Sequence, residues 1–321
     1  MFDTDVEQVP IRKGFGEGFH TAGKKDVRVV GLCADLTEST QMHLFRDAFP
    51  ERFIEVGVAE QNLVTVASGM AAMGKIPFVT SYAMFSPGRN WEQIRTTIAY
   101  NDRPVVVVGS HAGVSVGPDG GTHQAIEDIA LMRVIPNMVV VSPCDSIEAE
   151  KATLALAEAG KPAYLRLARE KTPVITTPKT PFSIGKASIL WEPAFGSPDV
   201  AIVATGALVH TALMAAKELE QRRIGVRVLN ISTIKPLDEK AILAAAHDAG
   251  AIVTVEEHQM AGGLGSAVAE LLATRQPTPV EFVGIRDSFG QSGTPRELLA
   301  HYGLTTHHII EAVLRVHKRK S

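Results

Sequence analysis

Six short runs in the first half of the chain are apolar and β-branched with no inside–outside alternation: "VRVVGLC" (27–33), "RFIEV" (52–56), "IPFVT" (76–80), "PVVVVG" (104–109), "NMVVVS" (137–142) and "AYLRL" (163–167). A strand with one wet face alternates; a strand that does not is covered on both faces, which is the condition of a parallel sheet. Helical patterns at 60–74, 90–100, 124–134 and 146–160 separate several of the runs, and Gly74 and Gly160 stand where helix C-caps belong. Strand–helix alternation of this kind predicts an α/β fold with right-handed crossovers.

Between about 172 and 198 the pattern dissolves into Pro, Thr and Ser. A second series follows, with strands at 199–205, 226–230, 251–255 and 280–285. Helices are expected at about 207–222, after Pro236, after "AGGLG", and near 295–302 and 305–318. The expected division is a first domain over 1–178, a linker over 179–198 and a smaller second domain over 199–321.

Of the 321 residues, 45% are hydrophobic and 21% charged, and the net charge is -3. That balance favours neither nucleic acid nor an anionic membrane as partner. The basic tail His317-Lys318-Arg319-Lys320 reads as a solvated end. Two cysteines, Cys33 and Cys144, are too few for a disulfide framework, and no CxxC is present. The start "MFDTDVEQVP" lacks an apolar core, and no apolar run approaches the roughly 20 residues of a membrane helix. A cytoplasmic protein is the expectation.

Ligands of doubly wound sheets collect at the carboxyl ends of strands. There the chain carries Asp35 and Ser39 in "LCADLTEST", Glu60 in "VGVAEQN", and Tyr82 and Phe85 in "SYAMF". It also carries His111, Asp119 and His123 in "GSHAGVSVGPDGGTHQ", and Arg166 and Arg169 in "RLARE". Taken singly, each has an ordinary explanation. Glu60 suits an exposed first helical turn, Asp35 and Ser39 suit turn and N-cap positions, and Tyr82 and Phe85 suit a core. The "AGGLGS" segment lacks a full phosphate-loop spacing and reads as helix–strand packing. Neither G-x-S-x-G nor H-E-x-x-H occurs.

Taken together, "ADLTEST", "FIEVGVAEQN", "KIPFVTSYAMF", "GSHAGVSVGPDGGTHQAIEDIALMR" and "YLRLAR" resemble the C-terminal half of transketolase across nearly the whole chain. The resemblance implies two consecutive three-layer α/β/α domains: a mainly parallel pyrimidine-binding domain, then a smaller transketolase C-terminal domain. It implies thiamine diphosphate and Mg²⁺ as cofactors. The glutamate at the position of Glu60 would hydrogen-bond N1′ of the aminopyrimidine, favouring the imino tautomer that activates C2 of the thiazolium. Tyr82 and Phe85 would pack on the pyrimidine, and Asp35 would lie near the thiazolium. A third aromatic of some transketolases falls at Gly88, leaving the pocket looser or completed by Phe78 or Met84. Arg12, Ser39, His111 and Arg169 match positions that hold the sugar phosphate, and Asp119 and His123 match contacts to the sugar hydroxyls and reacting carbon, with His123 moving a proton. Pro118 stands where many transketolases have an acidic residue.

The family's diphosphate-binding G-D-G is missing, and the only D-G pair here is Asp119-Gly120. The resemblance therefore implies one subunit of a split transketolase. A separate chain would supply the diphosphate-binding domain and the Mg²⁺ ligands in an α2β2 assembly, and the second domain is expected to be mostly architectural. Three alternatives remain: the β subunit of a 2-oxo-acid dehydrogenase E1 component, a deoxyxylulose-phosphate synthase-like subunit, and a non-catalytic regulatory partner.

Overall fold

The computed structural model describes residues 6–320; residues 1–5, the start of the acidic N-terminal stretch, and Ser321 lie outside that description. The first half contains strands β1 (Gln8–Pro10), β2 (Val29–Cys33), β3 (Phe53–Glu55), β4 (Ile76–Tyr82), β5 (Val106–Ser110), β6 (Val139–Val141), β7 (Ala163–Arg166) and β8 (Lys171–Pro173). Its helices are α1 (Ile11–Lys25), α2 (His43–Ala48), α3 (Glu60–Ala72), α4 (Trp91–Gln93, continued by a π-helical turn to Ala99), α5 (Asp128–Arg133) and α6 (Ser146–Ala159). The second half contains β9 (Ser188–Trp191), β10 (Val200–Ala204), β11 (Val226–Asn230), β12 (Thr233–Lys235), β13 (Ile252–Gln259) and β14 (Val280–Ile285). Its helices are α7 (Val209–Gln221), α8 (Glu239–Ala249), α9 (Leu264–Arg275), α10 (Pro295–His301) and α11 (Thr306–Lys318).

The first sheet has the order β12-β6-β7-β5-β4-β2-β3 and is parallel except where β12 meets β6. Every residue of β2, β5, β6 and β7 is buried, which explains the unbroken apolar runs. One face packs Phe78, Val106, Val108 and Leu165 against Phe15 and Phe19 of α1, Phe45 of α2 and Leu156 of α6. The other packs Leu32, Val79, Val107 and Val140 against Leu63 and Val64 of α3 and Met132 of α5. Each fully buried aliphatic or Phe side chain contributes about 1.5–3 kcal/mol relative to exposure.

The second sheet, β14-β13-β10-β11-β9, is parallel apart from β9 and lies between α7 with α11 and α8 with α9. Both domains are three-layered. Val203, Leu229 and Ile252 of the second sheet share one continuous apolar cluster with Leu32 and Val107 of the first.

Three features differ from the sequence expectation. The segment expected as linker contains β9, and β12 crosses from the second domain to finish the first sheet. Helix α1 has no counterpart among the expected helices, because Gly14, Gly16, Gly18 and Gly23 mask its apolar periodicity. These glycines are packing requirements: a Cβ on Gly14 would overlap the Ser146 carbonyl at the start of α6, and one on Gly18 would meet Glu150. The expected helix at 124–134 begins only at Asp128, because Gln124 serves the loop before it, donating to Val114 O, Gly117 O and Gln291 O. The basic tail is exposed over 318–320, as a solvated end would be, while Arg319 bonds Glu281 and the Val280 carbonyl and Lys320 the Asp199 carbonyl.

Candidate active site

Strands β3, β2, β4, β5 and β7 are neighbours in the first sheet, and the candidate residues leave their carboxyl ends in that order. Glu60 opens α3 and is 2% exposed, so the exposed first-turn reading does not hold. Its cation comes from 29 residues further on: Arg89 Nη1 lies 3.4 Å from Oε2, and Ser81 Oγ lies 3.5 Å from Oε1. Both contacts sit at the outer limit of a hydrogen bond, leaving a buried carboxylate only loosely engaged. Asn90 is fully buried beside it, donating to the Glu60 carbonyl at 2.9 Å, while its own Oδ1 has no partner.

Tyr82 and Phe85 stand half-buried at the end of β4, their rings near parallel with centroids 6.5 Å apart. Tyr82 stacks on His111 at 3.9 Å, Phe85 meets His123 edge-on at 5.3 Å, and the Arg89 guanidinium lies 5.5 Å from the Phe85 ring. These contacts join Glu60, Tyr82, Phe85, His111 and His123 into one cluster. Phe78 does not complete it, because it packs against Phe15 and Phe19 on the α1 face. Gly88 has no room for a substitute aromatic, since a Cβ there would overlap the Met84 carbonyl.

Arg12 reaches the cluster through topology. β1 pairs antiparallel with β8, opposing Pro10 to Lys171, so the start of α1 lies beside the segment carrying Arg169. Arg12 Nη1 donates to His111 Nε2 at 2.9 Å, and because arginine only donates, His111 carries its proton on Nδ1, facing Ser110 Oγ at 2.9 Å. Burial, then Arg12 and Arg169, push the His111 pKa down to about 3, so this imidazole is neutral. Burial and nearby Arg169 likewise lower the Arg12 guanidinium, whose Nε is buried without a partner. The Arg12 guanidinium on a neutral His111, with Arg169 near enough to act on both, is an arrangement whose remaining N–H donors can serve an anion.

Asp35 and His111 both adopt left-handed backbone (φ 58 in each), a conformation that costs non-glycine residues energy and collects at functional sites. The Asp35 loop is fixed by Glu55, a residue the sequence reading did not single out. Its carboxylate accepts from Asp35 N at 2.7 Å, Gly57 N at 2.9 Å and Thr37 Oγ1 at 3.1 Å. A lone acid in the strand "RFIEV" was the available signal. Among the described residues no hydrogen bond or ring contact ties the side chains of Asp35, Ser39 or Asp119 to the cluster; Asp35 and Asp119 are exposed. His123 is held by Thr122 Oγ1 at 3.0 Å.

Arg166 is not free to meet a ligand. It is buried in an ion pair with Asp128 at 2.7 Å, to which Tyr164 also donates at 2.7 Å. Burial works against the Asp128 carboxylate, but Arg166 and His258 outweigh it and hold its pKa below the usual value. In the second domain, Glu256 accepts from Leu264 N and Gly265 N and Ser266 Oγ from Gly262 N, so three of the "AGGLGS" amides are already occupied. Glu257 accepts from Ser115 N and Oγ.

The transketolase pyrimidine-binding domain family matches residues 7–174, and the transketolase C-terminal domain family matches residues 191–309. The chain belongs to the transketolase family. This transketolase-family chain is 42% identical to a putative transketolase C-terminal section of Methanocaldococcus jannaschii over 97% of each chain. It is 41% identical to a 6-deoxy-6-sulfo-D-fructose transketolase subunit of Clostridium sp., covering 100% of this chain and 98% of that one. A solved structure described as a split gene transketolase, inactive beta4 tetramer, superposes with a TM-score of 0.90 at 42% identity, over 98% of this chain and 100% of that one. Both three-layer domains of the transketolase C-terminal half are thus present in one chain.

Proposed function

We propose that this chain is one subunit of a split, thiamine-diphosphate-dependent transketolase that moves a two-carbon ketol unit from a ketose phosphate to an aldose phosphate. The observation that carries this reading is Glu60: a buried carboxylate, loosely held at 3.4 and 3.5 Å, beside two half-buried aromatic rings. An aminopyrimidine fits such a site, because its ring nitrogen gives the carboxyl a better partner and its faces suit Tyr82 and Phe85. Bound thiamine diphosphate would supply a carbon nucleophile and electron sink.

The chain's own groups do the rest. Glu60 shares a proton with the ring nitrogen. Asp35 offers negative charge towards the thiazolium. Arg12 and Arg169 grip the sugar's anionic end, His111 orients Arg12, and Ser39 adds a hydrogen bond. Asp119 takes sugar hydroxyls, and His123 moves a proton at the reacting oxygen. Among the described residues no cluster of His, Cys, Asp or Glu is arranged to hold a metal, and the reading assigns Mg²⁺ and the diphosphate to a partner chain. The solved relative, described as inactive in its beta4 form, supports the need for that partner. The relative named for a sulfo sugar favours a second reading of the anion pocket, in which a sulfonate replaces the phosphate.

The test is ketol transfer from xylulose 5-phosphate to ribose 5-phosphate with thiamine diphosphate and Mg²⁺, by this chain alone and mixed with a candidate diphosphate-binding chain. Sedoheptulose 7-phosphate formed only in the mixture supports the proposal. Turnover by the single chain refutes the split reading. A stable but inactive complex moves the donor to a sulfonated sugar or a 2-oxo acid.

A further inference from the structure

Between Gly113 (φ 92) and Gly117 (φ 86) the chain makes a tight 3-10 turn, Val114–Val116, a few residues past His111. The second domain grips this turn. Glu257 Oε1 accepts from Ser115 N at 2.6 Å and Oε2 from Ser115 Oγ at 3.1 Å, so both carboxylate oxygens are spent on one residue. Gly113 is what allows the approach, since a Cβ there would overlap the Glu257 carboxylate. Glu257 cannot drift, because its carbonyl accepts from Arg166 Nη2 at 2.9 Å and Arg166 is anchored on Asp128. At the far end of the turn the Pro295 ring approaches Gly117, and Gln124 ties Val114 and Gly117 to Gln291.

The residue after Ser115 matters most. The Val116 carbonyl accepts from Arg169 Nη1 at 2.7 Å. Glu170 Oε1 lies 3.7 Å from the same nitrogen, so the closer Val116 carbonyl sets the guanidinium's position while Nε and Nη2 are left for an anion. The Arg169 side chain is 35% exposed and so remains reachable. A buried carboxylate of the second domain therefore sets the turn, and the turn sets one of the two arginines of the pocket.

We propose that Glu257 is a positioning residue for substrate recognition: acting through Ser115 and Val116, it holds Arg169 where the sugar phosphate binds, giving the second domain a role beyond architecture. This rests on the transketolase reading above.

The test measures kcat and KM of the assembled enzyme for a ketose phosphate and for the same ketose without phosphate. Glu257→Asp retracts the carboxylate by one methylene from Ser115 N, whereas Glu257→Gln keeps an acceptor at full reach. Glu257→Asp is expected to raise KM for the phosphorylated ketose about tenfold, the scale of one charge-assisted hydrogen bond. The unphosphorylated ketose and both kcat values should stay unchanged, and Glu257→Gln should largely restore the wild-type KM. Should Glu257→Asp not fold, Ser115→Ala removes the hydroxyl arm alone and is expected to shift the same ratio about threefold. Equal losses on both ketoses, or no loss, overturn the inference and leave Glu257 structural. Arg169→Gln is the control: if it leaves phosphate discrimination intact, the phosphate reading of the pocket fails. If it abolishes discrimination while Glu257→Asp does not, only the role of Glu257 fails.

Discussion

Glu60 faces Arg89, whose side chain is 55% exposed. Removing the carboxylate therefore strands no buried cation, because water solvates Arg89, and the usual penalty for breaking a buried pair does not apply. Glu60→Gln and Glu60→Ala are expected to melt close to wild type while ketol transfer by the assembled enzyme falls by about 10²–10⁴, the range of a lost proton-transfer group. A thermal melt beside the transfer assay separates the two, and a fully active Glu60→Ala protein refutes the assignment. His111 gives a pH prediction. Its unfolded imidazole titrates near 6.5, whereas the folded one stays neutral down to about 3. The unfolded state thus binds the extra proton, and this contribution to stability is complete above 6.5 and lost as pH falls towards 3, by at most about 1.4 kcal/mol per unit. Glu148, Glu256 and Glu257, raised by burial, act in the opposite direction. Both proteins share those groups, so the comparison of wild type with His111→Asn isolates the histidine. Urea unfolding at pH 7 and pH 5 should show wild type losing up to about 2 kcal/mol more than the variant.

Among the elements, α1 shows what close packing demands. Its Gly14 lies against the Ser146 carbonyl of α6, so Gly14→Ala must separate two helices and should destabilise by about 1–3 kcal/mol. Gly69, inside α3, has nothing within 4 Å of its added Cβ, and Gly69→Ala should stabilise the isolated chain by about 0.5–1 kcal/mol. Urea midpoints of the two variants test the contrast. The same glycines explain where sequence reading stops. Strands β2 and β5 were legible because covering both faces leaves an unbroken apolar run, and α7 and α11 because their apolar spacing is uninterrupted. Helix α1 was hidden because four of its 15 residues are glycines that make contacts rather than pattern. Strands β9 and β12, at four and three residues on sheet edges, are too short to show a period. In the candidate site, the grouping of Glu60, Tyr82, Phe85, His111 and His123 was legible, since parallel topology brings their strand ends together, whereas Arg166 turned inward to Asp128. Arg89 and the Glu257–Ser115 contact were not legible, because each joins segments far apart in the chain, for which local sequence carries no signal; Glu55 left only the lone acid of its strand as a trace.

At the scale of the molecule, the outward face of α3 is a surface without charge. From Gln61 to Gly74 no residue is ionisable, and the exposed positions include Asn62, Thr65, Gly69 and Ala72. Val66 is 36% exposed, Met73 84%, and Val58, just before the helix, 70%. Such a surface is costly to leave in water and cheap to cover. Glu60 begins this helix, so a chain that covers the face would lie against the element that carries the candidate cofactor residue. Assembly and catalysis would then share an element. A charge in the middle of the face tests this, because desolvating an unpaired carboxylate costs several kcal/mol, more than an interface of ordinary affinity has to spare. Val66→Asp should leave the melting temperature of the single chain nearly unchanged, since the new carboxylate remains solvated there. It should shift sedimentation to a smaller species and abolish ketol transfer in the mixture although every cluster residue is intact. If Val66→Asp assembles like wild type, the interface lies elsewhere; if it assembles but is inactive, α3 serves the site without serving the interface.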